Sequence, residues 1–534
     1  MTKKRAAVIG AGASGLPSAR WALAYDFEPV VFEAQSESGG LWRFKEDDGE
    51  WSTVMRSTVI NTSKEMTAYS DYPPKATDPN YMHNRKLLQY LRDYADHHGV
   101  TKHIRFNHRV ENVVKASDYD KTGRWVVHFT DGEGNKKQET FEAVLCCTGH
   151  HAAPKLPSWP GQENFQGRIL HSKQYKDPRG FEGHNVLVVG VGNSGMDICS
   201  ELARIAYQVY MCTRRGVWII TRVVDEGVPV DMWINKRINH YLRQVLPAKF
   251  YPWMFERKLQ QIFDHDKYGL RPKHSAVSQH VSMSDDIHGR ICTGQVRVVP
   301  NVKEFTKNGV IFENGEEIQV DDVVLATGYL FDFPLLDGGK LIPSKENNVR
   351  VYKNMFPPQE AGKNTLAVIG LAQPIGSLMP ISEIQARLFF AVQAGEVKLP
   401  NRQGMEQEID QKLNDLHDRY VKVSRHTIQV DYTAYMCEIS DMFGAVPKPL
   451  DYLFTDPKLC YKLIFGPDVP YNYRLSGSKP WSGAREAILG VEERYLKGLQ
   501  PSKDPKSFKK SNNNLYTFAG LVLFASIVFI WLFH

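Results

Sequence analysis

Two short glycine runs in this chain have the spacing that cradles phosphate. Gly10-Ala11-Gly12-Ala13-Ser14-Gly15 and Gly190-Val191-Gly192-Asn193-Ser194-Gly195 share the pattern G-x-G-x-x-G and lie 180 positions apart. In such a run the first glycine permits a tight turn. The second lets the backbone approach a pyrophosphate. The third lets the following helix lie close on its sheet, and that helix offers free amides and a positive dipole end to the phosphates. The two runs lead to residues of opposite charge. After the first comes Glu33, placed to accept hydrogen bonds from a ribose diol and to repel a 2′-phosphate. After the second comes Thr213-Arg214-Arg215, a hydroxyl and two guanidinium groups that attract a 2′-phosphate. The first run, with Gly10, Gly12, Ala13, Ser14, Gly15 and Glu33, therefore predicts an FAD or NAD site. The second, with Gly190, Gly192, Asn193, Ser194, Gly195, Thr213 and Arg214, predicts an NADPH site.

These residues need strand, turn, helix and strand to position them, and the sequence supplies that order twice. Ala6-Ala7-Val8-Ile9 precedes the first run, a helical segment through Trp21, Leu23 and Ala24 comes after it, and Pro29-Val30-Val31-Phe32 ends in Glu33. Asn185 to Val189, a helix through Ile198, Leu202 and Ile205, and Gln208 to Cys212 repeat the unit, an internal duplication rather than a solenoid. Ala143 to Gly149 and Asp321 to Tyr329 read as twin buried strands ending in glycine. Lys86 to His98 reads as an amphipathic helix, with Leu87, Leu88, Leu91 and Tyr94 on one face. Trp125 to Phe129 reads as part of an antiparallel hairpin layer.

The predicted fold class is α/β. Two Rossmann-like dinucleotide-binding domains, for FAD and NADP, carry a helical insertion and a C-terminal transmembrane helix. Residues 1–154 form the first part of the FAD domain. Residues 155–330 form the NADPH domain, with the insertion at about 216–290. Residues 331–445 return to the FAD domain, with a last strand at Thr365 to Gly370 and a last long helix at Ser382 to Ala394. Residues 401–510 read as polar and irregular, and 446–510 as a cover and membrane-associated segment. Residues 515–534 form the anchor.

Composition sets the class. The 534 residues are 42% hydrophobic and 24% charged, ordinary for a globular protein of several domains. A formal net charge of +6, with no basic stripe interleaved with aromatics, gives no case for nucleic acid. The seven cysteines show no C-x-x-C and no zinc spacing, so no metal is expected and a reducing compartment is. The charged start Met1 to Arg5 resembles a signal peptide, but Gly10, Gly12 and Gly15 break the apolar stretch behind it. Leu515 to His534 has no Asp, Glu, Lys or Arg and is apolar on every face; as a helix it spans roughly 30 Å, the thickness of a bilayer core. Lys503, Lys506, Lys509 and Lys510 before it hold that side in the cytosol. The expectation is a tail anchor with the catalytic bulk cytosolic. Nothing in the sequence opposes a homo-oligomer.

Two nucleotide sites of opposite charge preference imply electron transfer from NADPH to a flavin. Disulfide reduction would need a redox cysteine pair after Gly39-Gly40, and none is there. Electron delivery to another protein and oxygen activation both stay open. Oxygen activation needs a closed, dry site, which the insertion and the C-terminal part suit.

Phe165-Gln166-Gly167-Arg168-Ile169-Leu170-His171-Ser172-Lys173-Gln174-Tyr175 resembles the F-x-G-x-x-x-H-x-x-x-[YF] fingerprint of the flavin-containing monooxygenases. Gly192-Asn193-Ser194-Gly195-Met196-Asp197, Asn61-Thr62-Ser63-Lys64-Glu65-Met66, Asp264 to Leu270 and Ala326-Thr327-Gly328-Tyr329 are similar to that family too, as is the apolar tail to its animal microsomal members. The resemblance implies that NADPH reduces FAD, that O₂ adds to give a C4a-hydroperoxide, and that a soft nitrogen or sulfur of a lipophilic amine, thiol or sulfide takes the distal oxygen. It also implies the endoplasmic reticulum membrane and a place in xenobiotic metabolism. Asn61 would set its amide near the flavin as the catalytic residue. Gly40, Leu41, Trp42, Thr62 and Gln373 complete the FAD side, and Asp197 the NADP side. Ser63 and Lys64 read as structural. His171 and Gly167 lie before the second module and read as organising NADP and domain movement. Tyr175-Lys176, rather than Trp-Pro, departs from the Baeyer–Villiger fingerprint and favours heteroatom oxidation. A Baeyer–Villiger or H₂O₂-producing oxidase, and a flavoprotein donor to a membrane partner, are the alternatives.

Overall fold

The two glycine runs and their apolar flanks fold into two five-stranded parallel sheets in a computed structural model that describes residues 3–47, 49–419, 427–500 and 502. In the first sheet the strands lie in the order Leu366–Val368, Ala143–Cys146, Arg5–Ile9, Glu28–Phe32, Ile104–Arg105. In the second the order is Val296–Val299, Gln208–Cys212, Asn185–Val189, Asp322–Leu325, Arg168–His171. The strand carrying each glycine run is central in its sheet. Its neighbours are the strand after the next helix and the strand that ends at Cys146 or Leu325.

Alternation along these central strands explains the layers. Side chains point to opposite faces in turn. Ala6 and Val8 enter the core formed with the helices Gly15–Ala24 and Leu378–Gln393. Ala7 and Ile9 face Trp125, Phe129 and Phe141 of an antiparallel three-stranded layer, Arg109–Lys115, Trp125–Thr130 and Lys136–Phe141. The second module repeats this. Val188 meets Met196 and Ile198 of the helix Asn193–Leu202, while Leu187 and Val189 meet Phe305, Val310 and Phe312 of another antiparallel layer. The helix read from Lys86 runs Asn84–His97 and buries Leu87, Leu91 and Tyr94, with Leu88 at its half-buried margin.

The insertion is helical over Val230–Ile234, Arg237–Val245 and Phe250–Ile262, and its neck is closed by the paired strands Ile219–Ile220 and Ser282–Met283. The stretch read as irregular after residue 401 is instead largely helical where described, with Arg402–Arg419, Tyr432–Asp441, Pro457–Phe465, Ala484–Leu489 and Val491–Gly498. Three of its prolines start helices rather than break them. Pro449, Pro457 and Pro470 stand in the first turn of their helices, where the missing N–H has no intrahelical partner to lose. Arg402–Arg419 buries only Met405 and Ile409, too sparse a stripe to show as a period. The apolar run 515–534 lies outside the described residues. Among the described residues no helix is long and apolar enough to cross a membrane.

Candidate active site

The first glycine turn is closed on several sides. Gly10 has φ 104°, and a Cβ there would stand 2.7 Å from the Cys147 carbonyl oxygen, so only glycine fits. Gly12 faces Gly40 across a gap that a Cβ would narrow to 3.5 Å. Gly39 N–H donates to Ala11 O at 3.0 Å, which ties the Gly40-Leu41-Trp42 turn to the glycine run. Among the described residues no protein acceptor takes the amides of Gly12, Ala13 or Ser14, which leaves them for phosphate oxygens. Ser14 Oγ meets Ser382 Oγ at 3.0 Å, and Tyr69 donates to Ala13 O at 2.7 Å. Glu33 is buried. Its carboxylate accepts from Ala11 N–H at 2.8 Å and Gln35 N–H at 2.9 Å. Burial raises its pKa above the ordinary 4.5, and the two backbone donors oppose that. The cradle, the free amides and the acid fit the adenosine and pyrophosphate of a dinucleotide.

Asn61 lies between anchored neighbours. Ile60 N–H donates to Met82 O at 2.9 Å and Lys64 N–H to Asn80 O at 2.7 Å. Thr62 Oγ1 meets Thr67 Oγ1 at 2.8 Å. The half-buried Asn61 amide has no hydrogen-bond partner among the described residues, and neither has the half-buried Gln373 side chain, whose backbone pairs with Gln429. Ser63 and Lys64 are fully engaged. Lys64 is buried and donates to the carbonyls of Ala76 and Asp78, each at 2.7 Å. Burial lowers its pKa.

The second turn has the same backbone and a different setting. Gly190 has φ 114°, and a Cβ there would run into Ala326 O. A Cβ on Gly192, by contrast, would meet nothing within 4 Å. Ser194, Arg214 and Arg215 are exposed, and the two arginines have no ion-pair partner among the described residues. Thr213 Oγ1 accepts from Gly216 N–H at 3.0 Å. Asn193 Oδ1 accepts from Met283 N–H at 2.8 Å, so its side chain fixes the neck of the insertion. Asp197 carries a carboxyl pushed up to about 6, chiefly by burial, with Glu201, Asp286 and Asp285 adding to it and Arg222 opposing it.

The fingerprint segment straps this module together. His171 Nδ1 accepts from Lys173 N–H at 3.1 Å, so Nε2 carries the proton and donates to Gly328 O at 3.1 Å. A Cβ on Gly167 would collide with Asp321 O and the Phe165 ring. Tyr175 donates to Glu201 at 2.8 Å. Lys173 reaches the carbonyls of Glu50 and Ala152, both at 2.9 Å, and Arg56 pairs with Asp177, so the same strap joins the two modules. Spacing alone gave no sign of His150 and His151 just past the strand Ala143–Cys146. Burial lowers the His150 imidazole well below its ordinary range, whereas His151 is exposed to solvent. All seven cysteines are free, and the adjacent Cys146 and Cys147 point into different cores.

Comparison with known proteins agrees with this geometry. Residues 3–532 match the family model described as flavin-binding monooxygenase-like. The chain is 46% identical over 505 residues to flavin-containing monooxygenase 5 of Oryctolagus cuniculus, covering 93% of this chain and 94% of that one. It is 43% identical over 502 residues to dimethylaniline monooxygenase [N-oxide-forming] 2 of Rattus norvegicus, covering 93% of each. Among solved structures it is similar to S-allyl-L-cysteine S-oxygenase from Allium sativum, with a TM-score of 0.64 and 20% identity over 93% of this chain and 99% of that one. An oxidized steroid monooxygenase bound to NADP gives 0.60 and 17% over 82% and 97%. These two share the fold. The class is that of the two-nucleotide flavoprotein oxidoreductases. Within it, the chain belongs to the flavin-containing monooxygenase family, and its cofactors are FAD and NADPH.

Proposed function

We propose that the protein uses NADPH and O₂ to oxygenate a soft nitrogen or sulfur of lipophilic small molecules. The carrying observation is the pair of like glycine turns with opposite charge at the strand ends, Glu33 in one and Arg214 in the other. On this reading Gly10, Gly12, Ala13, Ser14, Gly15 and Glu33 hold FAD, with Gly40, Leu41, Trp42, Thr62 and Gln373 around it. Gly190, Gly192, Asn193, Ser194, Gly195, Asp197, Thr213 and Arg214 hold NADPH. Bound FAD supplies the redox chemistry that links NADPH to O₂. The protein's own contribution is position and exclusion of water. Asn61 offers an uncommitted amide at the flavin side and orients the reacting groups. The name of the N-oxide-forming relative supports heteroatom oxidation. Residues 515–534 serve as a tail anchor in the endoplasmic reticulum membrane, with residues 1–510 in the cytosol.

Product analysis with a thioether and a ketone, on the full chain in detergent, tests this. The expected result is one sulfoxide per NADPH and little ester. NADPH consumption yielding only H₂O₂, or only reduction of an added acceptor, would overturn it. Asn61→Ala is expected to lower oxygenation about 100-fold, the scale of one lost polar contact to a developing charge, at unchanged FAD content.

A further inference from the structure

Each residue from Ser63 to Glu65 is held by a different part of the chain. Lys64 is closed in by the carbonyls near residues 75 to 78. Glu65 receives a bidentate pair from Arg494 at 2.8 and 2.7 Å, and a bond from Tyr471 at 3.2 Å. Ser63 is held by the insertion. Asp231 Oδ2 accepts both Ser63 N–H, at 2.6 Å, and Ser63 Oγ–H, at 3.0 Å, while its Oδ1 accepts Met232 N–H at 2.9 Å. Asp231 sits on the helix Val230–Ile234, and Met232 beside it enters the core of the first module.

A buried carboxylate costs free energy unless its oxygens are bonded. Asp231 is 5% exposed and has no ion-pair partner among the described residues. Its compensation comes from backbone N–H groups and one hydroxyl. Two of those donors belong to Ser63, only two positions after Asn61. With Ile60 fixed by Met82 O, the span between anchors is Asn61 and Thr62 alone. The angle at which the Asn61 amide leaves the backbone is thus set at one end by Asp231.

We propose that Asp231 is a positioning residue for Asn61, so that seating the insertion on the first module and orienting the Asn61 amide are a single event. This rests on the flavin-side assignment of Asn61 made above. Asp231 touches neither substrate nor cofactor and acts through Ser63.

Hydrogen exchange of the amides at 58–67 in the full chain tests the link without turnover. In Asp231→Ala the Ser63 amide is expected to exchange roughly 10- to 100-fold faster, the factor a bond to a charged acceptor is worth. Unchanged exchange overturns the link itself. A double-mutant cycle then tests its consequence. Asp231→Ala should lower product formed per NADPH when Asn61 is present, and change it less than about twofold in an Asn61→Ala background. KM for NADPH should stay within the same twofold. Fully additive losses overturn the positioning role. If Asn61→Ala alone leaves oxygenation intact, the Asn61 assignment fails and takes the role with it, whereas the exchange result judges the Asp231–Ser63 link independently. Ser63→Ala keeps the N–H bond and loses the hydroxyl bond. It should show the same pattern at smaller size, and it decides the matter if Asp231→Ala does not fold; no change in Ser63→Ala would then overturn the proposal.

Discussion

The two glycine turns share a backbone and differ in what surrounds them. Around the first, Gly40, Ser382 and the Tyr69 hydroxyl close in, and the acid at the strand end is buried. Around the second, Gly192 opens onto free space, and the arginines at the strand end stand in solvent. One duplicated unit has thus been enclosed in one place and left open in the other. Enclosure suits a dinucleotide that stays through many turnovers, and openness suits one that must enter and leave each cycle. The difference is made by later chain, since the helix Leu378–Gln393 packs on the first turn.

The largest expected effect comes from placing a methyl group at the two equivalent second glycines. Gly12→Ala should set a methyl group where the backbone must approach the FAD pyrophosphate and cost most of the retained FAD, about 100-fold in affinity. Gly192→Ala should leave FAD bound and raise KM for NADPH only severalfold. Flavin absorbance after gel filtration reads the first, and steady-state kinetics the second. Equal loss of flavin in both would erase the contrast. Arg214→Ala should come next, raising KM for NADPH roughly 10- to 100-fold and that for NADH far less, because the bond to a 2′-phosphate is charge-assisted. Equal losses would reject the assignment.

The smallest expected effect concerns Asp197, which stands where the first module has Pro17. Its folded carboxyl is pushed up to about 6 from the ordinary 3.8. The folded state therefore holds a proton that the unfolded state releases between these values. Asp197 favours folding below about pH 4, and that contribution is lost as pH rises through 6. Asp197→Asn should flatten the dependence of the melting temperature on pH across this window and raise it slightly at pH 7. A curve parallel to that of the unsubstituted protein would reject the assignment of the shift.

The two turns and the opposite charges at their strand ends were legible in the sequence, because they sit in contiguous residues. Gly10 to Glu33 and Gly190 to Arg214 each carry turn, helix and charge within one local unit. The fingerprint from Phe165 to Tyr175 was legible for the same reason. What was not legible joins residues far apart. Asp231 to Ser63, Arg494 to Glu65 and Ser14 to Ser382 span 168, 429 and 368 positions, and no periodicity reports such pairs. The helices after residue 401 are hidden in the sequence because helix-starting prolines look like breakers, and because Tyr432, Tyr435 and Tyr471 are buried despite their polar hydroxyls.

The Lys64 ammonium has a practical bearing on where this chain can be cut. Gly498 is laid over it so closely that a Cβ there would stand 2.8 Å from Lys64 Nζ and 2.7 Å from Asp78 O. The helix Val491–Gly498 is therefore the lid of a sealed positive charge, and a bulkier residue at 498 would prise it open. A shortened version ending after residue 502 keeps the lid; one ending before 491 would flood that chamber with water, two residues from Thr62.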